Sequence, residues 1–129
     1  MFQALHPILG TRDLERALEF YVTKLGFTLA FRDPSGPSNY AGVRRDQVEL
    51  HMQWQDEHEM STMRLRFLVA SPDQLFAELL AKGAAETGRR PKNTAWGTRE
   101  FALYDLDRNA LTFYRDLTAD EAAELRQSQ

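Results

Sequence analysis

The sequence predicts an α+β fold of two βαβββ modules, because the second half of the chain repeats the plan of the first. One repeated stretch is LHPILGTRDLERALEFYVTKLGF, with Asp13 before a helix and Gly26 after it; it is matched by RFLVASPDQLFAELLAKGA, with Asp73 and Gly83. The other is VRRDQVELHM, matched by YDLDRNALTFY. A repeat pair of this size is expected to enclose a cavity between its sheets. Function is therefore expected at inward positions where the two halves differ.

Composition predicts one globular domain over residues 1–129. The chain has 43% hydrophobic and 27% charged residues, enough to bury one core but not two independent ones. It contains no cysteine, which excludes disulfides and thiolate chemistry. The N-terminus shows neither a basic leader nor a long apolar run, so we expect a cytoplasmic protein without a membrane partner. The net charge of -3 argues against a nucleic-acid partner.

The first module is predicted over residues 1–54. Apolar residues recur at helical spacing over 14–25, and Thr11 or Asp13 is the expected N-cap. Gly26 is suited to end this helix. The strands expected after it are 27–33, 40–46 and 48–54, with a turn at 34–39.

The second module is predicted over residues 63–116, after a polar linker. A strand at 63–70 leads into a helix that Ser71 opens, with Pro72 at its first position and Gly83 at its end. Further elements are strands near 84–87, at 98–105 and at 110–116, and a C-terminal helix over 117–129.

Alternation along the strands assigns side chains to faces. The apolar faces should lie under the helices, which leaves the polar faces toward the cavity. The expected cavity residues are Gln47, Glu49, His51, Gln53, Arg64, Arg66, Leu68, Thr112 and Tyr114. Glu49 and Thr112 occupy equivalent positions in the two modules.

Three segments resemble the glyoxalase/bleomycin resistance/dioxygenase superfamily, also called vicinal oxygen chelate proteins: DLERALEFYVTKLGF after His6, VELHM, and WGTREFALYDLDRNALTF. Within it, PILGTRDLERALEFY and YAGVRRDQVELHM are most similar to the bleomycin resistance type. The resemblance covers residues 4–116. It implies paired βαβββ modules in a curved mixed sheet.

Metal-dependent members place a histidine on the first strand, an acid or histidine at the middle positions, and a glutamate on the last strand. The resemblance carries these positions onto His6, Glu49, then Arg64 or Arg66, and finally Thr112. A guanidinium has no lone pair for a cation, and two ligands do not hold one. No cofactor is therefore expected.

An alternative keeps metal chemistry. His51 shares a face with Glu49, so a divalent metal on His6, Glu49 and His51 would make the protein a lyase or a dioxygenase. The simpler interpretation makes His6 a strand-end histidine and His51 a hydrogen-bonding group in the cavity. Glu49 then forms an ion pair with Arg64 or Arg66.

Bleomycin resistance proteins bind a large, planar, cationic antibiotic without a metal, in grooves at a homodimer interface. The resemblance therefore implies aromatic faces and carboxylates in such a groove. The candidates are Trp96, Tyr40, Glu49 and Glu100, with Phe31 and Trp54 as weaker ones. Trp96 could instead cover its own loop, Tyr40 could pack across strands, and Glu100 could face solvent. Arg64 and Arg66 favour a less cationic flat ligand unless a carboxylate neutralises them.

The sequence thus predicts a homodimer that sequesters an aromatic small molecule, such as a bleomycin-type antibiotic, and so confers resistance. Pro7 matches a proline of the family near the first strand, which implies exchange of the N-terminal strand between subunits. The predicted ligand-binding residues are Tyr40, Glu49, His51, Arg64, Arg66, Trp96, Glu100 and Thr112. The alternatives are the metal-dependent enzyme and a sensor or interaction module without catalysis.

Overall fold

The computed structural model describes residues 1–34 and 39–128, which form two compact units. Unit 1 comprises Met1–Met63 and Asp105–Asn109, and unit 2 comprises Arg64–Tyr104 and Ala110–Gln129. The elements in chain order are β1 (Ile8–Thr11), α1 (Leu14–Glu19), a π-helical stretch (Phe20–Lys24), β2 (Thr28–Arg32), β3 (Tyr40–Arg45), β4 (Val48–Trp54), a 3-10 turn (Glu57–Glu59), β5 (Arg64–Leu68), α2 (Pro72–Ala81), β6 (Lys92–Asn93), β7 (Thr98–Tyr104), β8 (Ala110–Asp116) and α3 (Ala119–Gln127). None of the helices in the described part of the chain is long and apolar enough to cross a membrane.

Each unit contains one four-stranded mixed sheet, and the two sheets have the same topology. The strand order is β1-β4-β3-β2 in unit 1 and β5-β8-β7-β6 in unit 2. In each sheet the first pair is parallel and the other pairs are antiparallel. This confirms the predicted α+β class and the repeated order of strand, helix and three strands.

The first two helices begin after the predicted N-caps and are followed by the predicted glycines, whereas the C-terminal helix covers Ala119–Gln127 instead of 117–129. The side chains of Asp13 and Ser71 each accept a hydrogen bond from the backbone amide three residues later, which satisfies one free donor of the first turn. Gly26 and Gly83 follow the helices with φ angles of 76° and 79°. This left-handed conformation carries little steric cost in glycine, so both residues are suited to end a helix.

The first helix differs from the second by its π-helical stretch, Phe20–Lys24. The interval from N-cap to terminal glycine is one residue longer in the first helix than in the second. A π turn closes a hydrogen bond over one residue more than an α turn, as Leu25 N does by donating to Phe20 O at 3.2 Å. The π-helical stretch thereby accommodates the extra residue. Tyr21 and Leu79, which lie equally far from the N-caps of their helices, are both buried.

Each sheet buries its apolar face. The core of unit 1 includes Leu9, Leu18, Tyr21, Val43, Leu50 and Met52, and that of unit 2 includes Phe67, Phe76, Leu79, Phe101, Leu111 and Phe113. In unit 2 the ring of Phe113 stacks on Phe67 and Phe101, with centroids 4.9 and 5.2 Å away. Such pairs add about 0.5–1.5 kcal/mol each to the stabilisation from burial.

The turn Asp105–Asn109 lies between two strands of unit 2 but belongs to unit 1. Oδ1 of Asp105 accepts from the backbone amides of Asp107 and Asn109, each at 2.9 Å. Oδ2 accepts from the hydroxyl of Tyr21 at 2.6 Å and from Nδ2 of Asn109 at 2.9 Å. Burial and the neighbouring Asp105 carboxylate raise the pKa of Tyr21 well above its usual value, so the phenol stays a donor.

One strand prediction is wrong. Residues 84–87 form bends and part of a turn, and the fourth strand of the second sheet is β6, where Lys92 and Asn93 pair with Glu100 and Arg99. The turn predicted at 34–39 falls mostly on residues 35–38, which lie outside the described residues.

The N-terminal segment before β1 has no regular secondary structure and is mostly exposed. The side chains of Met1, Phe2 and Leu5 are open to solvent. The carbonyl of Pro7 accepts from the backbone amide of His51 at 3.0 Å, so the proline stands at the start of the strand pair, as expected for a residue without an amide donor.

Candidate functional site

The candidate site of unit 1 lies on the face of β4 that points away from the core. Leu50 and Met52 are buried on one face, and Glu49 and His51 lie on the other. The predicted alternation is therefore observed. Because β4 is flanked by β1 and β3, residues of both neighbouring strands surround these two side chains.

His6, Glu49 and His51 come together on this face. The two imidazole rings stack, with centroids 4.6 Å apart and an interplanar angle of 16°. Nε2 of His51 lies 2.8 Å from Oε2 of Glu49, and Nε2 of His6 lies 3.7 Å from the same oxygen. The side chains of Glu49, His51 and His6 are 14%, 16% and 34% exposed, so the site is partly buried but open to solvent.

Two further rings extend this surface. The hydroxyl of Tyr40 lies 2.8 Å from Nδ1 of His51. The ring of Phe31 meets His51 edge-on at 5.1 Å and stacks with Tyr40 at 6.1 Å. Gly42 leaves space for the Phe31 ring, because a Cβ at position 42 would come within 2.3 Å of that ring. We call Phe31, Tyr40, His6 and His51 the ring cluster.

An arginine of the neighbouring strand neutralises Glu49. Arg44 stands directly opposite Glu49, and its Nη2 donates to Oε1 at 2.5 Å. Hydrogen bonds from His51 and then from Arg44 lower the pKa of Glu49 to about 2, so its carboxylate is ionised at neutral pH. This corrects the expected pairing, in which Arg64 or Arg66 was the partner of Glu49.

Sequence reasoning missed Arg44, although the signal was present. A tight turn at Asp46 and Gln47 joins β3 to β4, and Asp46 has a φ of 53°. Such a turn fixes the register of a hairpin, which brings Arg44 opposite Glu49.

In unit 2 the predicted residues gather around Glu100. Its Oε1 accepts from the hydroxyl of Thr98 at 2.6 Å, the indole N–H of Trp96 at 3.1 Å and Nη2 of Arg66 at 3.3 Å. Burial raises the pKa of Glu100, but these three hydrogen bonds outweigh it and the net shift is downward. The indole of Trp96 is 70% exposed, so its orientation is fixed by a hydrogen bond while much of its surface stays open.

The two arginines of β5 differ in their surroundings. The guanidinium of Arg66 lies 4.3 Å from the ring centroid of Tyr114 and also contacts Glu100. Arg64 is exposed at the beginning of the strand. Thr112 stands between Arg66 and Ala102 in the sheet register. Arg66, Trp96 and Glu100 are thus directly linked, and Thr112 is a neighbour of Arg66.

The metal-dependent members of the superfamily that the sequence resembles use a divalent ion, and a partly buried set of donors in unit 1 fits such an ion. Donor atoms of His6, Glu49 and His51 all lie within 4.8 Å of one another. Two imidazoles and a carboxylate suit zinc and the neighbouring transition metals. The other two family positions fall on Arg64 or Arg66 and on Thr112, which offer a guanidinium and a hydroxyl instead, neither of them a usual ligand for such an ion.

The sequence match to known proteins spans both modules. The model of the Glyoxalase/Bleomycin resistance protein/Dioxygenase superfamily matches residues 3–115. The chain belongs to this superfamily. The bleomycin resistance protein of Geobacillus stearothermophilus is 24% identical over 136 aligned positions, which cover 91% of this chain and 98% of that protein. The resemblance seen in the sequence segments is therefore confirmed.

Solved structures share the fold. TioX from Micromonospora sp. ML1 superposes with a TM-score of 0.75 at 22% identity, over 90% of this chain and all of the other (100%). The bleomycin-binding protein from bleomycin-producing Streptomyces verticillus, solved with copper(II)-bleomycin, gives a TM-score of 0.69 at 27% identity, over 88% of this chain and 95% of the other. The fold is therefore that of bleomycin resistance proteins.

Proposed function

We propose that this protein binds and sequesters an aromatic small molecule without converting it, and that bleomycin-type antibiotics are the ligand class to test first. The observation that carries the proposal is the exposed but oriented indole of Trp96, held by Glu100. An aromatic ring fixed in this way offers a flat surface, and less side-chain conformational entropy is lost when a ligand binds to it. The names of the related resistance and binding proteins support the same ligand class.

The charges of unit 2 support an aromatic ligand that carries some positive charge. Arg66 would repel a cation if it stood alone, but it is paired with Glu100 and lies over the ring of Tyr114. Glu100 is ionised at neutral pH because its pKa is lowered. A cationic group near this set therefore meets a carboxylate as well as a guanidinium, and we propose that Arg64 and Thr112 complete this surface.

The ring cluster of unit 1 is the second proposed ligand surface. Its rings are in contact with one another, with centroid separations of 4.6 to 6.1 Å. Flat ligands gain from offset or edge-on contacts with such rings. Oε2 of Glu49, which faces the imidazoles while Oε1 is paired with Arg44, would accept a hydrogen bond from a donor group of the ligand.

We also propose a homodimer with an exchanged N-terminal segment. Met1, Phe2 and Leu5 are apolar and exposed, and β1 stands at the edge of its sheet. A second copy that covers these side chains would remove them from water. Sedimentation equilibrium should give twice the chain mass of 14.9 kDa, and a monomer at micromolar concentrations would contradict the proposal.

Calorimetric titration of metal-free protein with metal-free bleomycin tests the function. We expect binding by the wild type and an affinity about tenfold or more weaker in Trp96→Ala, because tryptophans that become buried on binding are frequent hot spots. The matched control is Trp54→Ala, since the ring of Trp54 is covered by the guanidinium of Arg12, 4.7 Å from its centroid. We expect the control to stay within about twofold of the wild type.

Two results would contradict this proposal. One is the absence of binding in the wild type; the other is equal binding by Trp96→Ala and the wild type. Mass spectrometry of the recovered antibiotic separates sequestration from catalysis. An unchanged mass is expected, and a modified product would favour the enzyme alternative.

A further inference from the structure

We propose that unit 1 binds one divalent transition-metal ion through Nε2 of His6, Nε2 of His51 and Oε2 of Glu49. This goes beyond ligand sequestration and does not rest on it. The site uses β4 and the segment before β1, and it needs neither Arg66 nor Thr112. In the proposed site, His51 is a ligand in place of the two family positions that hold an arginine and a threonine. His51 lies two residues after Glu49 on the same strand.

The spacing of the donor atoms fits such an ion. Bonds of about 2.0–2.2 Å in a tetrahedral site place ligand atoms about 3.3–3.6 Å apart. Oε2 of Glu49 lies 2.8 Å from Nε2 of His51 and 3.7 Å from Nε2 of His6, one distance shorter than this value and one longer. The distances need to change by only a few tenths of an ångström, but the rings must also turn, because the lone pair of Nε2 lies in the ring plane and two stacked rings do not aim at one point. His6, the more exposed of the two histidines, has room to turn out of the stack.

The partners of Nδ1 allow both histidines to present Nε2 to an ion, although in the metal-free protein Nε2–H of His51 donates to Glu49 and its proton must first move to Nδ1. Nδ1 of His6 lies 3.2 Å from the backbone oxygen of Glu49, which can only accept, so Nδ1 carries the proton and Nε2 the lone pair. Nδ1 of His51 lies 2.8 Å from the hydroxyl of Tyr40, which can donate or accept. When Nε2 of His51 binds an ion, Nδ1–H donates to Tyr40. Each ligand thus has the outer hydrogen bond that is common in metal sites.

The carboxylate of Glu49 also has one atom held by a hydrogen bond and another directed at the proposed ion. Arg44 donates to Oε1 of Glu49, which leaves Oε2 facing the two imidazoles. The guanidinium also removes much of the negative charge of the site. Ions that depend on carboxylate oxygens, such as Mg²⁺ and Ca²⁺, should therefore bind poorly, whereas Zn²⁺, Ni²⁺ and Cu²⁺ prefer imidazole. Three protein ligands leave a position for water or a donor atom from another molecule.

Calorimetric titration of chelator-treated protein with Zn²⁺ is the test. We expect one ion per chain and no measurable Mg²⁺ binding. Variants His6→Ala, His51→Ala and Glu49→Gln should each weaken Zn²⁺ binding about 100-fold or more, because loss of outer hydrogen bonds alone costs about 10–100-fold. Tyr40→Phe removes only such an outer bond and should fall within that smaller range.

The chain offers a matched control. It has three histidines, and the third, His58, belongs to an exposed group with Asp56 and Glu59 whose donor atoms are also close together. His58→Ala should keep wild-type affinity. Binding that is lost in His58→Ala, or kept in His6→Ala and His51→Ala, would overturn the proposal. So would a wild type that does not bind Zn²⁺.

A measurement on the unaltered protein guards against variants that misfold. Long-range ¹H–¹⁵N spectra of the imidazoles should show Zn²⁺ shifting Nε2 of His6 and His51, with His58 unchanged. Shifts confined to His58 would contradict the site. Failure of this test leaves the sequestration proposal standing, since the antibiotic titration uses metal-free protein.

Discussion

The two sheets have the same strand order and different chemistry. Register places these residues at equivalent positions: Glu49 and Thr112, His51 and Tyr114, Gly42 and Glu100. In unit 1 the carboxylate is on the central strand β4 and its partners include two imidazoles. In unit 2 it is on β7, one strand away, and its partners are a hydroxyl, an indole and a guanidinium. The same backbone topology therefore carries two different polar faces: each has a carboxylate, but on a different strand and with different hydrogen-bond partners.

The helices differ at one equivalent buried position. Tyr21 in the first helix and Leu79 in the second are both buried, but only the tyrosine donates a hydrogen bond, to Asp105. Tyr21→Phe keeps the ring and removes the hydroxyl. We expect a loss of about 2 kcal/mol in the free energy of unfolding, because the bond is buried and its acceptor is charged. Urea denaturation measures it.

The control for this change is Tyr104→Phe. The side chain of Tyr104 is exposed, and its replacement should alter stability by less than about 0.5 kcal/mol. Equal effects of the two substitutions would show that the Tyr21 bond adds nothing specific to the first helix.

Gly42 distinguishes the sheets most directly, since its equivalent is Glu100. In Gly42→Ala the new methyl group would push the Phe31 ring from its place against Tyr40 and His51. We expect a loss of about 1 kcal/mol, at the low end for overpacking because Phe31 is partly exposed. Thermal unfolding measures it, with Gly88→Ala as control, because nothing lies within 4 Å of a Cβ there. A destabilisation no larger than that of the control would mean that the ring moves freely.

Acid titration of metal-free protein tests the partners of Glu49. The pKa of Glu49 is about 2 in the folded protein and 4.5 ordinarily, so its contribution to stability is present above pH 4.5 and disappears as the pH falls toward 2. Carboxyl ¹³C chemical shifts should follow that midpoint. His51→Ala should raise the pKa toward its ordinary value, and His58→Ala should leave it unchanged. A wild-type midpoint near the ordinary value would refute the hydrogen bonds proposed as the cause.

Features encoded locally were predictable. Apolar periodicity and capping residues predicted the first two helices. Alternation of polar and apolar residues predicted the two faces of β4 and of β8. The π-helical stretch was not predicted, because Leu14 to Leu25 keep ordinary helical spacing; its signal is the extra residue between cap and glycine. The strand expected at 84–87 is replaced by Lys92–Asn93, since two residues at a sheet edge carry no alternation to detect.

The site was predictable only in part. Strand parity identified Glu49 and His51 as neighbours on one face. The approach of His6 depends on parallel pairing of β1 with β4, where Ile8 stands opposite His51. Parallel registers join distant segments and leave no turn in the sequence from which they can be inferred.

Because the turn Asp105–Asn109 belongs to unit 1 but lies in the second repeat of the sequence, the chain cannot be cut between the repeats without separating parts of one unit. A split after Met63 falls between the two repeats, yet a fragment of residues 1–63 would keep the phenol of Tyr21 and lose the carboxylate that accepts its hydrogen bond. Recombination that exchanges single halves between relatives must carry a compatible loop from the far end of the chain.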